Sequence, residues 1–107
     1  MRMEYINRVE LQGRVGTVRI TPVHDTIVAN FSVMTEHTCE VNNGNQVVET
    51  TWTCVAAFEG GEVNIQSLTR GAIVYLTGRL RTNKYIDASG CEKVFTEVMA
   101  SSLKVLA

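Results

Sequence analysis

A regular alternation of side chains marks residues 49–58, which read Glu-Thr-Thr-Trp-Thr-Cys-Val-Ala-Ala-Phe. The stretch is rich in β-branched and aromatic residues and lacks Gly and Pro, so it predicts a β-strand. Because successive side chains point to opposite faces of a strand, one face carries Trp52, Cys54, Ala56 and Phe58, and the other Thr53, Val55 and Ala57. Such a strand is either covered on both faces or presents one face to a ligand. Two aromatic rings on an open face are suited to stacking on flat rings such as nucleobases.

The same alternation predicts four further strands. The first continues beyond a bend that Gly13 and Gly16 permit, and strands two and three form a long hairpin through an Asn-Gly turn. In chain order, the five predicted strands cover residues 6–15 with 18–20, 26–35, 46–58, 72–81 and 92–99. Turn-forming residues separate them at 22–25, 42–45 and 87–90.

Residues 62–70 predict a short helix between strands three and four. Glu62 suits its N-terminal end, Arg70 its C-terminal end and Gly71 the position after it. The apolar side of this helix would carry Val63, Ile65 and Leu68. Three strands, a helix and two strands form the order of an OB-fold, an all-β five-stranded Greek-key barrel with one short helix between strands 3 and 4. Another small barrel, or an open sheet with one helix, is the alternative.

Composition limits the class of protein. The 107 residues suit a single domain, 1–107, and 45% of them are hydrophobic. No apolar run approaches a membrane span, and the N-terminus does not resemble a secretion signal, so we expect a cytoplasmic protein without a membrane partner. Three cysteines without a C-x-x-C pair indicate neither a disulfide framework nor a zinc site. His37 and Cys39 lie in a polar hairpin that supplies neither converging ligands nor an oriented base, so we expect no enzyme, no cofactor and no metal.

The net charge of the chain does not favour binding to nucleic acid. Ten basic and eleven acidic residues give a formal net charge of -1, which is unusual for a protein that binds nucleic acid. The distribution of the basic residues therefore matters more than their sum.

A set of motifs in a fixed order extends over nearly the whole chain. They are Asn7-Arg8-Val9-x-Leu11-x-Gly13-Arg14-Val15-Gly16, Ala29-Asn30-Phe31-Ser32-Val33, Thr51-Trp52-x-x-Val55-x-x-Phe58, Leu68-x-Arg70-Gly71-x-x-Val74-Tyr75-Leu76-x-Gly78-Arg79-Leu80-Arg81-Thr82 and Lys84-Tyr85-x-Asp87-x-Ser89-Gly90. With these motifs in this order, the chain resembles the bacterial single-stranded DNA-binding protein (SSB) family.

The resemblance implies a nucleoid-associated homo-oligomer, usually a tetramer and with a dimer as the alternative, that binds single-stranded DNA without sequence preference. It would support DNA replication, recombination or repair, with replication proteins as further partners. The implied DNA-binding residues are the stacking aromatics Trp52, Phe58 and Tyr85 and the phosphate-binding residues Arg70, Arg81, Lys84 and Arg79.

Departures from the family pattern predict weaker binding than that of a typical housekeeping member. Thr38 replaces an aromatic residue, Cys54 a basic one, and Glu59-Gly60 stands where a Gly-Lys pair is frequent. Each lost stack removes about 1–3 kcal/mol of binding energy. Asn83 takes another frequently basic position.

Simpler interpretations stay open for the same residues. Trp52 could belong to the core, Phe58 could lie beneath the predicted helix, and Tyr85 could be exposed without a role. The basic residues of strand four could form a solvated edge that prevents mispairing.

A different function remains as the alternative. The chain ends at Leu106-Ala107 without the acidic tip that family members use to recruit proteins, so we expect no recruitment through such a tip. A tailless primosomal accessory protein with the same fold, acting mainly through protein partners, would suit this ending and the near-neutral charge.

Overall fold

A computed structural model describes residues 3–107 as a closed β-barrel with strand order β1-β2-β3-β5-β4. This is the five-stranded OB-fold arrangement predicted from the sequence. The strands are β1 (Val9–Val23), β2 (Thr26–Glu40), β3 (Gln46–Phe58), β4 (Ile73–Ile86) and β5 (Glu92–Val105). All pairings are antiparallel except that of β3 with β5, where Val55 lies opposite Val98 and Ala56 opposite Met99.

The barrel closes because β1 pairs with two strands. Its first half, from Val9 to Arg14, pairs with β4, and from Arg14 onward it pairs with β2. The register with β2 shifts between Val15 and Val18, so β1 bulges there, as the predicted bend required. At Gly13 a Cβ atom would collide with the carbonyl oxygen of Met34, so only glycine allows the two strands to approach this closely.

The predicted short helix between strands 3 and 4 is wrong. Residues 59–72 form a series of turns, and the only helical turn within residues 3–107 is the 3-10 turn Asn42–Gly44 in the β2–β3 connection. Val63, Ile65 and Leu68 are all buried in the core cluster. Residues two apart do not share a helix face, so a helix could not have buried both Val63 and Ile65. Turns can, and Glu59 supports them by accepting a hydrogen bond from the amide of Ile65 at 2.8 Å.

β3 has the bounds that the sequence predicted, whereas β1, β2, β4 and β5 each end later than the alternation predicted. β2 and β3 remain paired from Glu36–Thr50 to Glu40–Gln46, and β4 and β5 remain paired to Ile86–Glu92. Two hairpins therefore extend from the barrel, which we call the β2–β3 arm (residues 36–50) and the β4–β5 arm (residues 81–97). Side chains of the β2–β3 arm are exposed except that of Cys39, which is half-buried.

The core fills the barrel with small and branched residues. Its fully buried side chains are Ala29, Val33, Ala57, Val74, Leu76 and Val98. In β3 the core cluster contains Val55 and Ala57, as the alternation predicted. On the other face Trp52, Cys54 and Phe58 are exposed, whereas Ala56 is buried beside Met99 of β5.

Candidate nucleic-acid interface

Trp52 lies on the outside of the barrel with 57% of its surface exposed. Its ring covers the bulge of β1, because a Cβ atom placed on Gly16 would lie 2.5 Å from Cζ3 of the indole. The bulge itself is held by Ser32, whose hydroxyl accepts a hydrogen bond from the amide of Thr17 at 3.0 Å. Trp52 therefore forms an open platform above a glycine and is not part of the core.

An elongated groove begins beside this platform. Arg70 and Trp52 line its first recess together with Gly16, Thr17 and Ser32. A second recess of about 420 Å³ shares Thr17 and Ser32 with the first, so the two recesses adjoin. The other residues that line the second recess are Arg19, Asn30, Phe31, Cys54, Val55, Phe95 and Glu97. We call the two recesses together the groove.

The β4–β5 arm contributes its aromatic residues to the end of the groove. Tyr85 and Phe95 lie on the same face of the arm, and their ring centroids are 5.8 Å apart in an edge-to-face arrangement. Tyr85 is 51% exposed and Phe95 is 39% exposed. Trp52, Phe95 and Tyr85 thus follow one another along one side of the molecule, which places the predicted Tyr85 near the groove through its contact with Phe95.

Phe58 shares the outward face of β3 with Trp52 and Cys54. It is 40% exposed and lies opposite Val28 of β2. No helix covers it, so the alternative that Phe58 is tucked beneath a helix does not apply. It is not among the lining residues of either recess.

The predicted cations separate into two groups. Arg70 lines the first recess. Arg81 lies beside the second recess, but its guanidinium pairs with Glu97, with Nε at 2.9 Å and Nη2 at 2.8 Å from Oε1. Lys84 adjoins Tyr85 in sequence and therefore points to the opposite face of the arm, 3.9 Å from Glu92. Arg79 lines a separate recess with Asn7 and Arg8. The groove thus brings together two of the four cations.

Several residues that line the groove were not predicted as site residues, among them Arg19, Phe95 and Glu97. The register of the β4–β5 arm could have revealed two of them. A turn at Asp87–Gly90 places Asn83 opposite Phe95 and Arg81 opposite Glu97, on the face of Tyr85. Arg19 lies beyond the bulge, which changes the register by one residue and so obscures its face.

Charge is unevenly distributed around the groove. The β2–β3 arm contains Glu36, Glu40 and Glu49 and neither Lys nor Arg. A hydrogen bond from the Cys39 thiol to Glu49, at 3.0 Å, raises the pKa of that thiol. Arg19, Arg70 and Arg81 lie instead at the groove. The near-zero net charge therefore combines three arginines at the groove, one of them paired with Glu97, with an acidic β2–β3 arm.

Residues 3–107 contain no cluster of three or more His, Cys, Asp or Glu that could hold a metal ion. In the same part of the chain no helix is long and apolar enough to cross a membrane.

The comparison with known families agrees with the fold. Residues 6–106 match the Single-strand binding protein family. The chain belongs to this family. The single-stranded DNA-binding proteins of Neisseria meningitidis serogroup A and serogroup B strains are each 35% identical over 105 residues. The match includes 94% of this chain and 60% of each relative, so the chain spans about 60% of the length of the curated relatives it matches.

Solved structures of the family superpose on the barrel. A Plasmodium falciparum SSB in complex with single-stranded DNA gives a TM-score of 0.84 at 27% identity and covers 100% of both chains. A deletion mutant of the single-stranded DNA-binding protein from Thermus aquaticus gives a TM-score of 0.75 at 18% identity, covers 95% of this chain and 51% of that one, and supports the fold alone.

Proposed function

We propose that this protein binds single-stranded DNA by stacking bases on exposed aromatic rings and holding phosphates with arginine. The observation that carries the proposal is the open indole of Trp52 at the mouth of a groove that Arg70 also lines. Family membership supports it, as does the similarity to an SSB whose structure contains single-stranded DNA. Stacking on an aromatic ring tolerates every base, because every base has a π-face.

Each residue of the proposed site has its own task. Trp52 would stack one base at the start of the groove, and Tyr85 would stack another at its end. Arg70 has no ion pair with the described residues and would neutralise a phosphate. Arg81 would contact a phosphate only while remaining bound to Glu97. Phe58 lies on the same outward face, and its contact with DNA stays a prediction, as do those of Lys84 and Arg79 on surfaces outside the groove.

The structure adds a reason to expect weak binding. One predicted cation, Arg81, already has an anionic partner, and the acidic β2–β3 arm would repel a phosphate chain. Fewer phosphates would then be neutralised, which flattens the dependence of the binding constant on salt.

We also propose that the chain acts as a homo-oligomer, a tetramer rather than a dimer, in DNA replication and related processes in the cytoplasm. The family supports this proposal. Sedimentation of the free protein and of its complex with DNA tests it, and a monomer in both would contradict it.

The binding proposal is tested by titration with oligo-dT. Trp52 is the only Trp in the chain, so its fluorescence should be quenched as a base stacks on it, and added salt should reverse the quench. Labelled oligo-dT should also report weaker binding by fluorescence anisotropy for Trp52→Ala, whereas Trp52→Phe, which keeps a ring, should retain most of the affinity.

Absence of both the quench and the anisotropy change at low salt would overturn the proposal. Unchanged DNA binding by Trp52→Ala would show instead that the platform is not the site, and would favour the accessory-protein alternative.

A further inference from the structure

We propose that the second recess of the groove admits a nucleobase and recognises its exocyclic amino group through Glu97, so that the protein prefers cytosine to thymine. This inference rests on the proposed binding of single-stranded DNA and adds a base preference to it. It comes from a buried carboxylate with one engaged and one free oxygen.

Glu97 is 5% exposed, and among residues 3–107 it is the only charged residue that is buried. Its Oε1 atom accepts hydrogen bonds from Arg81 and Asn83 of the neighbouring strand. Its Oε2 atom has no hydrogen-bond partner among the described residues. No fully buried side-chain oxygen or nitrogen lacks a partner in that part of the chain. Oε2 must therefore reach the surface, and the surface that Glu97 lines is the recess.

The orientation of this carboxylate is fixed. Arg81 donates a hydrogen bond from Nε to Oε1 at 2.9 Å, and its Nη2 forms an ion pair with the same oxygen at 2.8 Å, which holds Oε1 toward β4. The second oxygen is left as a free acceptor on the wall of an open recess. An acceptor held in one orientation favours a ligand that brings a donor over one that brings a second acceptor.

The walls of the recess suit a flat heterocycle. Phe95 forms one wall, and its ring is held in place by the edge-to-face contact with Tyr85. Asn30, on the other side, has a side-chain amide with no hydrogen bond to the described residues, so it can donate to a base carbonyl. Arg19 lies opposite Asn30 on β1 and supplies a positive charge. Stacking, an acceptor and a donor thus converge on one space of about 420 Å³.

Base chemistry then decides the preference. Cytosine presents a 4-amino group, which donates, next to a 2-carbonyl, which accepts, and carboxylates pair with this amino group in protein–DNA complexes. Thymine presents a 4-carbonyl at the same position, and two acceptors would face each other. Adenine and guanine also carry amino groups, so the recognised class is the amino-bearing bases.

The first test uses the unaltered protein and three homo-oligomers of about 16 nucleotides, the upper end of the site size of one OB-fold. Their bases are thymine, cytosine and 2-pyrimidinone, which lacks only the 4-amino group of cytosine. In competition at one salt concentration we expect the cytosine strand to bind about fivefold more tightly than the thymine strand, the low end of what a paired side chain achieves. The 2-pyrimidinone strand should lose most of this advantage. Equal binding of the cytosine and 2-pyrimidinone strands would overturn the inference.

The second test is Glu97→Gln. The amide oxygen would stay with Arg81 and Asn83, which are donors, and the amide nitrogen would replace Oε2 in the recess. A donor would then face the base, so the preference should reverse toward thymine. Glu62→Gln changes an exposed carboxylate outside the groove and should leave the preference as it is.

These results separate the two proposals. If none of the three strands binds, the proposed function fails. If all bind alike, in the unaltered protein and in Glu97→Gln, only the base preference fails. Should Glu97→Gln not fold, the comparison of cytosine with 2-pyrimidinone still decides.

Discussion

Gly16 offers a way to displace the Trp52 platform without removing it. An alanine Cβ at this position would lie 2.5 Å from Cζ3 of the indole and 2.7 Å from Oγ of Ser32. Carbon atoms at optimal separation are about 3.5–4.0 Å apart, so the ring must move by about 1 Å or more. Because more than half of the ring is exposed, it can move toward solvent. The backbone of Gly16 does not have a positive φ, so alanine fits it without strain.

We expect Gly16→Ala to weaken DNA binding. Tilting the ring should remove about 1 kcal/mol, the low end of the value of a base–aromatic stack, which corresponds to roughly fivefold weaker binding. The cost to the free energy of unfolding should be about 1 kcal/mol, the low end for overpacking, because the indole can move toward solvent although the Ser32 hydroxyl, which holds the bulge, must also shift.

A double-mutant cycle separates the two effects. Affinity for labelled oligo-dT is measured by anisotropy, and stability by urea unfolding, for the unaltered protein, Gly16→Ala, Trp52→Ala and the double variant. If Gly16 acts through the indole, Gly16→Ala should have little further effect on affinity once Trp52 is alanine. Equal losses of affinity in both backgrounds would refute this reasoning, since the glycine would then influence binding independently of the ring.

Two further predictions concern the groove and the tip of the β4–β5 arm. Arg70→Ala should reduce the slope of log K against log salt by about 0.7, the share of one phosphate contact with single strands, whereas Lys104→Ala, on an exposed residue outside the groove, should not. The Ser89 hydroxyl, followed by backbone amides, lowers the pKa of Asp87 from its ordinary value of 3.8. A lowered pKa in the folded state means stability that is present above the unfolded value and lost as pH falls through the folded value. The difference in unfolding free energy between the protein and Asp87→Asn should therefore shrink below about pH 3.8, and a constant difference would contradict this.

Local alternation was enough to predict much of the barrel and the outward position of Trp52. Val55 and Ala57 face the core, so a residue three before Val55 must face outward, whatever the other strands do. The same rule separates Lys84 from Tyr85, which are adjacent in sequence. The sequence analysis grouped Lys84 with Tyr85 because they lie close together along the chain, and so overlooked this alternation.

The remaining differences depend on contacts between distant segments. Glu97 reaches Arg81 only because β5 returns beside β4, so the ion pair that engages the arginine depends on strand register and not on local composition. The turns at residues 59–72 replace the predicted helix because Val63, Ile65 and Leu68 close one end of the barrel. Burying all three mattered more than helical propensity.

The two arms should open locally while the barrel stays folded. Beyond the barrel each arm is held by hydrogen bonds to a single neighbouring strand and buries little apolar surface, and isolated two-stranded hairpins are only marginally stable in water. Amide protons of the arms should therefore exchange with deuterium through local opening, at a far smaller cost than global unfolding. Trp52 lies on the barrel, whose amide protons should exchange slowly, whereas Tyr85 lies on an arm that can open locally and close again. A bound DNA strand could therefore be held firmly at Trp52 while its contact with Tyr85 adapts to the path of the DNA.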